Sequence, residues 1–262
     1  MNDHCYHKEE IQLNSGALDG AVSKAYLLTM VDSKRPWREK LRDFPLCSSV
    51  TVIYNHGFRN CQKQLLTQIS YCDLQDAFAY ICRDAVAREY DNILVLEDDF
   101  VVLDRDQAHY HSVNNFLLSR SFDVYNLGPS TVFSTLPPIF SHNRCLFFRT
   151  THAVIYSRRY LQWYLDHGLR KAEHLDETFN NLSTVKFAYY KPLIGQTFPM
   201  TENRLNWKNC FLFFTDWWIT IWRLDTSCEN YKYQQWAFSW LFWIITGLLI
   251  YGGLRLRLKY WS

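Results

Sequence analysis

Residues 92–102 read NILVLEDDFVV and set three carboxylates, Glu97, Asp98 and Asp99, directly behind four apolar residues. A continuous apolar run is the pattern of a central strand covered on both faces. In open α/β sheets, ligands collect beyond the carboxyl ends of the strands. Side chains alternate along extended backbone, so Glu97 and Asp99 are expected to share one side and Asp98 to face the other. Two carboxylates on one side suit a hard divalent cation that also takes phosphate oxygens. Such a cation offsets charge on a departing diphosphate. A solvated acidic turn has the same sequence, so the elements around the motif decide its meaning.

Those elements alternate between helix and strand. Lys24 to Val31 and Ser48 to Tyr54 are apolar or β-branched runs of strand length. Leu74, Ala77, Phe78, Ile81 and Ala85 fall on one helical face, predicting a helix over 73–89 with Asp73 as its N-cap. That helix feeds the acidic strand, which is half of an α/β repeat. Further strands are expected at 123–127, 145–148, 152–156 and 185–190. Ser157 to His167 reads as a helix closed by Gly168. Residues 1–22 read as a loose polar lead-in without the apolar core of a signal peptide.

At this point the chain resembles glycosyltransferase family 25, which holds lipooligosaccharide and procollagen galactosyltransferases. The resemblance runs in order over roughly residues 24–207. It rests on AYLLTMVDSKRPWREKL, NILVLEDDFVV, FDVYNLG, HAVIYSRRYLQWYL, EHLDETF and KPLIGQTFPMTEN. Two places depart from the family. Its first strand ends in Asn-Leu where this chain has Thr29-Met30, and its Ser-His pair is replaced by Leu74-Gln75.

The resemblance implies an α/β fold, a single Rossmann-like nucleotide-sugar domain of the GT-A type. It implies a catalytic domain over 23–209 and a manganese or magnesium ion held by Asp99 and Glu97. Asp98, Lys34, Arg35, Arg38 and Gln196 would meet the donor. Asp176, with Glu177 second, would take the acceptor's proton. The implied reaction moves a hexose, galactose being the family's example, from a UDP-sugar to a hydroxyl of a glycan or glycoprotein. His152 and His142 are read as hydrogen-bonded structural residues or as contacts to phosphate or metal.

The end of the chain has another character. Residues 236–253, WAFSWLFWIITGLLIYGG, carry no charge over 18 residues. As a helix they reach about 27 Å, close to the hydrocarbon thickness of a bilayer. A basic tail over 254–262, with Arg255, Arg257 and Lys259, follows. A membrane-spanning helix is therefore expected at 236–253. Residues 210–235 form an apolar docking or interfacial stretch (Cys210 to Trp222) and a linker. Without an N-terminal signal the catalytic domain is expected in the cytosol, although the positive-inside tendency favours the opposite side.

Composition narrows the classes. The formal net charge is +2, with no basic stripe of the kind nucleic-acid binders carry. Eight cysteines include no CxxC pair, which argues against a zinc ribbon and favours buried thiols. Two competing readings stay open. One is a nucleotidyltransferase, disfavoured because no glycine-rich loop follows the first strand. The other is a membrane-anchored binding protein that keeps the fold without catalysis.

Overall fold

The computed structural model describes residues 2–137, 139–170, 172–181, 183–198, 217, 219–224 and 230–261, the last few as backbone only. Nine strands form one mixed sheet: β1 (Tyr6–Gln12), β2 (Lys24–Met30), β3 (Ser49–Asn55), β4 (Asn92–Glu97), β6 (Val124–Asn126), β7 (Thr131–Ser134), β8 (His142–Arg149), β9 (Ala153–Ser157) and β10 (Lys186–Tyr189). Their order across the sheet is β1-β3-β2-β4-β9-β6-β10-β8-β7. A small second sheet pairs β5 (Phe100–Val102) with β11 (Ile194–Gln196).

The three strands that matter most, β3, β2 and β4, are parallel neighbours. The chain leaves β2 through helix α1 (Trp37–Asp43) to reach β3. It then returns through α2 (Gly57–Asn60) and α3 (Ser70–Ala87) to the other side of β2, as β4. Strand order therefore reverses between β2 and β4, and a crevice opens at their carboxyl ends, where Met30 and Glu97 stand. Ile93, Leu94, Val95 and Leu96 are all buried, as a strand covered on both faces requires.

Alternation along these strands feeds two cores. Leu27, Val52 and Leu94 pack with Trp37 and Leu41 of α1 and with Tyr110 and Val113 of α4 (Gln107–Ser119). Tyr26, Ile53, Ile93 and Val95 pack with Phe78 and Ile81 of α3 and with Tyr160 and Leu161 of α5 (Arg158–His167). Each buried side chain of this size stabilises the fold by roughly 1.5–3 kcal/mol relative to exposure. Ser157 caps α5 by accepting from the Tyr160 amide, and Gly168 closes it, as expected.

Several expectations are corrected. The lead-in is not loose: β1 pairs antiparallel with β3 over all seven of its residues. Helix α3 starts at Ser70, and Asp73 is buried within it instead of capping it. Its carboxylate accepts from Lys63 Nζ at 2.6 Å and from Asn55 Nδ2 at 3.0 Å, an inward role that helical periodicity does not reveal. Not all thiols are idle, because Cys5 and Cys61 form a disulfide that ties the start of β1 to the end of α2. Cys47, Cys72, Cys82 and Cys145 are free and buried.

The last helix, α7 (Tyr231–Trp261), begins inside the segment read as linker. Residues 231–254 are long and apolar enough to cross a membrane. Tyr231 itself is fully buried and donates to the Gly128 carbonyl at 2.8 Å. Phe242 stacks on Phe133 of β7 with ring centroids 4.8 Å apart. Of the stretch Cys210 to Trp222, residues 210–216 and 218 lie outside the described residues. Ile219 is buried beside Leu224 and Tyr231, so the described part docks on the domain.

His142 lies on β8, not in a loop. Its Nδ1 pairs with the Tyr125 hydroxyl at 2.8 Å, its Nε2 with the Ser112 hydroxyl at 3.1 Å, and its ring stacks on Phe116. Burial pulls its pKa down to about 4. Between pH 6.5 and 4 the unfolded chain takes up a proton that the native imidazole refuses. Stability is therefore complete above about pH 6.5 and falls as the pH drops through this window. The thermal midpoint of wild type should fall more than that of His142→Gln between pH 7 and pH 4.5. Equal losses would show that His142 is not a source of the pH dependence.

Candidate functional site

Strand β4 stops at Glu97, and Asp98-Asp99 form a turn before β5. The turn is pinned by backbone bonds, from the Asp98 amide to the Leu28 carbonyl at 3.1 Å and from the Glu97 amide to the His152 carbonyl at 3.0 Å. Because the backbone turns here, strand alternation lapses. All three carboxylates line one cavity, which corrects the expectation that Asp98 points away.

Each acid has its own setting. Asp98 is buried and accepts from the Thr29 hydroxyl at 2.8 Å, the Ser33 hydroxyl at 2.6 Å and the Arg35 guanidinium. Asp99 lies 3.5 Å from Arg35 Nη1 through one oxygen. Its other oxygen, Oδ1, is buried and has no hydrogen-bond partner among the described residues. Glu97 accepts from the Thr151 hydroxyl. Burial, and then the neighbouring acidic charges, push Glu97 above the usual carboxylate range. Burial does the same to Asp99, against the pull of Arg35.

Thr151 reaches Glu97 because Thr150 turns the chain between β8 and β9 with φ of 83°, a left-handed conformation that a threonine rarely adopts. The Thr150 carbonyl accepts from Asn126 Nδ2 at 2.9 Å, which helps hold that conformation. Gly128, the glycine of the FDVYNLG segment, is required by close approach: a Cβ there would sit 1.5 Å from the Ile194 carbonyl oxygen. That contact brings β11, and with it Gln196, to the cavity.

The cavity has a volume of about 1420 Å³. Lys34, Arg35, Asp176 and Gln196 line it with the three acids, so the structure brings together seven of the nine residues that the resemblance implies. Glu177 and Arg38 do not line it. Arg38 pairs with Glu9 at 2.5 Å and with the Tyr54 hydroxyl at 2.6 Å, away from the cavity on the β1 side. The sequence offered no partner for Arg38 because β1 itself was not legible there.

Asp176 stands in the first turn of the short helix α6 (Leu175–Thr178), 3.9 Å from Arg149 Nη1. Glu177 pairs with the same guanidinium at 2.6 Å and does not line the cavity. His152 is fully buried, with Nε2 3.2 Å from the Ile194 carbonyl oxygen, and burial lowers its pKa to about 4. It is a structural histidine. Asp123 of the FDVYNLG segment is likewise structural, accepting from Arg159 Nε and the Val185 amide, each at 2.7 Å.

Sequence reasoning missed Thr29, Ser33, Arg59, Asp73, Arg149 and Thr151, all of which line the cavity. Thr29 carried a signal, since it stands where the resemblance breaks.

No protein-family description matches the chain, and no curated protein matches it. Among solved structures, the crystal structure of A197 from STIV aligns with a TM-score of 0.43 at 12% identity. The alignment covers 68% of this chain and 86% of that one. A likeness this loose carries no argument about function.

Arg35 is the cation in contact with both Asp98 and Asp99. Arg35→Ala should destabilise the protein by about 1–3 kcal/mol, less than a fully buried pair would lose because Arg35 is partly exposed. Without the guanidinium, the native carboxyls hold protons that the unfolded chain has released. Stability then falls as pH rises through the carboxyl range. The loss of thermal midpoint should therefore be larger at pH 8 than at pH 5. An equal loss at both would mean that Arg35 acts by packing alone.

Proposed function

We propose that the chain is a membrane-anchored, metal-dependent glycosyltransferase on a Rossmann-like GT-A fold, moving a hexose from a UDP-sugar to an acceptor hydroxyl. One observation carries this reading. Three acids converge in a large cavity at the point where strand order reverses, and one of them keeps a buried carboxylate oxygen without a partner among the described residues. A buried, unpaired carboxylate oxygen is costly unless something outside the chain completes it. An all-oxygen donor set matches manganese or magnesium.

Asp99 and Glu97 would hold the ion, which when bound neutralises charge on the diphosphate leaving group. Arg35, seated on Asp98, and Lys34 beside it offer positive charge to the same phosphates. Gln196 supplies an amide to the donor from β11. Asp176 lines the cavity from α6 and would receive the acceptor's proton as its oxygen attacks the sugar. Arg149 orients α6 by pairing with Glu177 and lying near Asp176.

The Cys5–Cys61 disulfide favours an oxidising compartment for this domain. The positive-inside tendency of the basic tail points the same way. We therefore place the catalytic domain on the non-cytosolic side, the reverse of the expectation from sequence.

A second reading has one observation in its favour. Arg35 already sits between Asp98 and Asp99, as it would in a binding protein whose acids serve only structure. UDP release separates the two. Purified full-length protein given a panel of UDP-sugars should release UDP in the presence of manganese and not in its absence. Asp99→Ala should abolish release while still folding. Asp176→Asn should keep donor binding and lower turnover by about 10²-fold, the usual effect of removing a general base. Release that survives Asp99→Ala rejects the metal assignment, and absence of release with every donor favours the binding protein.

A further inference from the structure

The cavity's two ends differ in chemistry. The carboxylates stand at the end of β4 with Arg35. Toward the far edge of the sheet, Phe133 of β7 and Phe147 of β8, with Phe238 of α7, supply an aromatic wall. At about 1420 Å³ the cavity exceeds the roughly 300–1,000 Å³ typical of a pocket for one small ligand. A nucleotide sugar fills the charged end and leaves the aromatic end for something else.

That wall is continuous with the helix expected to enter the bilayer. Helix α7 starts at Tyr231, locked under Gly128, and lines the cavity with Gln234 and Phe238. One turn later Phe242 stacks on Phe133, and Trp243 Nε1 donates to the Ser134 hydroxyl at 3.4 Å. The helix thus runs alongside β7 in the same direction, toward the tip of the β7–β8 hairpin. That tip presents Leu136, Ile139 and Phe140 to the outside, each more than half exposed. Beyond it α7 exposes Leu248, Leu249 and Ile250. Exposed apolar groups on two separate elements, at one end of the molecule, mark a face that meets lipid. The aromatic end of the cavity stands just above that face.

We propose that the acceptor is a membrane amphiphile, with a hydroxylated head that reaches the carboxylate end and a hydrocarbon tail that lies along Phe133, Phe147 and Phe238 into the bilayer. This rests on the glycosyltransferase reading and names its acceptor class. In the reaction the acceptor oxygen bonds to the anomeric carbon as that carbon's bond to the diphosphate oxygen breaks. UDP leaves with the electron pair, and the hydroxyl proton passes to the Asp176 carboxylate. Phenyl rings also stack on sugar faces, but this wall continues along α7 to its exposed apolar stretch, which suits a hydrocarbon tail. An amphiphile gains on the order of 0.8 kcal/mol for each methylene it buries there, about a fourfold gain in affinity.

The test uses full-length protein in phosphatidylcholine vesicles and a dodecyl glucoside carrying a diazirine in its chain. After photolysis, label should appear in the 131–150 segment, which holds Phe133 and Phe147. It should be displaced by unlabelled dodecyl glucoside and not by methyl glucoside. Phe147→Arg, and independently Phe238→Gln, should each reduce that label by about tenfold, the loss of roughly two buried methylenes. Label confined to residues 244–250, or unchanged in both variants, overturns the proposal, since the tail then touches only the outer face of α7. Acceptor-free UDP release by the wild-type protein reports the donor site separately. Cavity labelling without UDP release defeats the transferase reading alone, and UDP release without cavity labelling defeats the amphiphile alone.

Discussion

Three carboxylates gathered at the end of one buried strand repel one another, and the rest of the site is arranged around that repulsion. The residues that relieve it come from distant parts of the chain: Thr29, Ser33 and Arg35 follow β2, and Thr151 follows β8. None of them is near β4 in sequence. They meet there because β4 is hydrogen-bonded to β2 on one side and to β9 on the other. The mixed sheet is thus the device that delivers hydroxyls and a guanidinium to the cluster.

What the sequence disclosed depended on whether a residue's surroundings were local. Residues 93–96 announced a buried strand because both faces of β4 are covered, and α5 was legible down to Ser157 and Gly168 because caps are local chemistry. β1 was illegible because it is an edge strand with mostly polar, exposed side chains, and it exists only through pairing with β3. The direction of Asp98 was misread for a related reason: alternation holds only while the chain stays extended, and Asp98-Asp99 turn. Arg38 was drawn into the site by proximity to Arg35, yet Arg35 precedes helix α1 and Arg38 lies in its first turn, paired with Glu9. The motifs of the resemblance hold the seven implied residues that line the cavity, whereas Phe133 and Phe147 fall between those motifs and Phe238 of α7 lies beyond them.

The two halves of the cavity differ in how they are held. At the charged end, side chains are fixed by short hydrogen bonds and backbone pinning, which favours one geometry for a compact polar ligand. At the aromatic end, rings contact rings, as Phe133 does Phe147 and Phe242. Such contacts are nondirectional beyond their preferred ring offsets and tolerate variation in what lies against them. A fixed polar end and an adaptable aromatic end are therefore built into a single chamber.

Helix α7 is a wall of the chamber and also long and apolar enough to cross a membrane, which bears on what a cut near it would do. In many arrangements an enzyme hangs from its anchor by a stalk, and a protease that severs the stalk sets free a working soluble form. Here the helix is already buried in the domain at Tyr231, eleven residues before Phe242 meets the sheet. A cut anywhere ahead of Tyr231 would leave the chamber without a side, and a cut beyond Phe242 would leave a greasy stump attached to the freed piece. Cutting α7 away and keeping the chamber whole are mechanically opposed in this molecule.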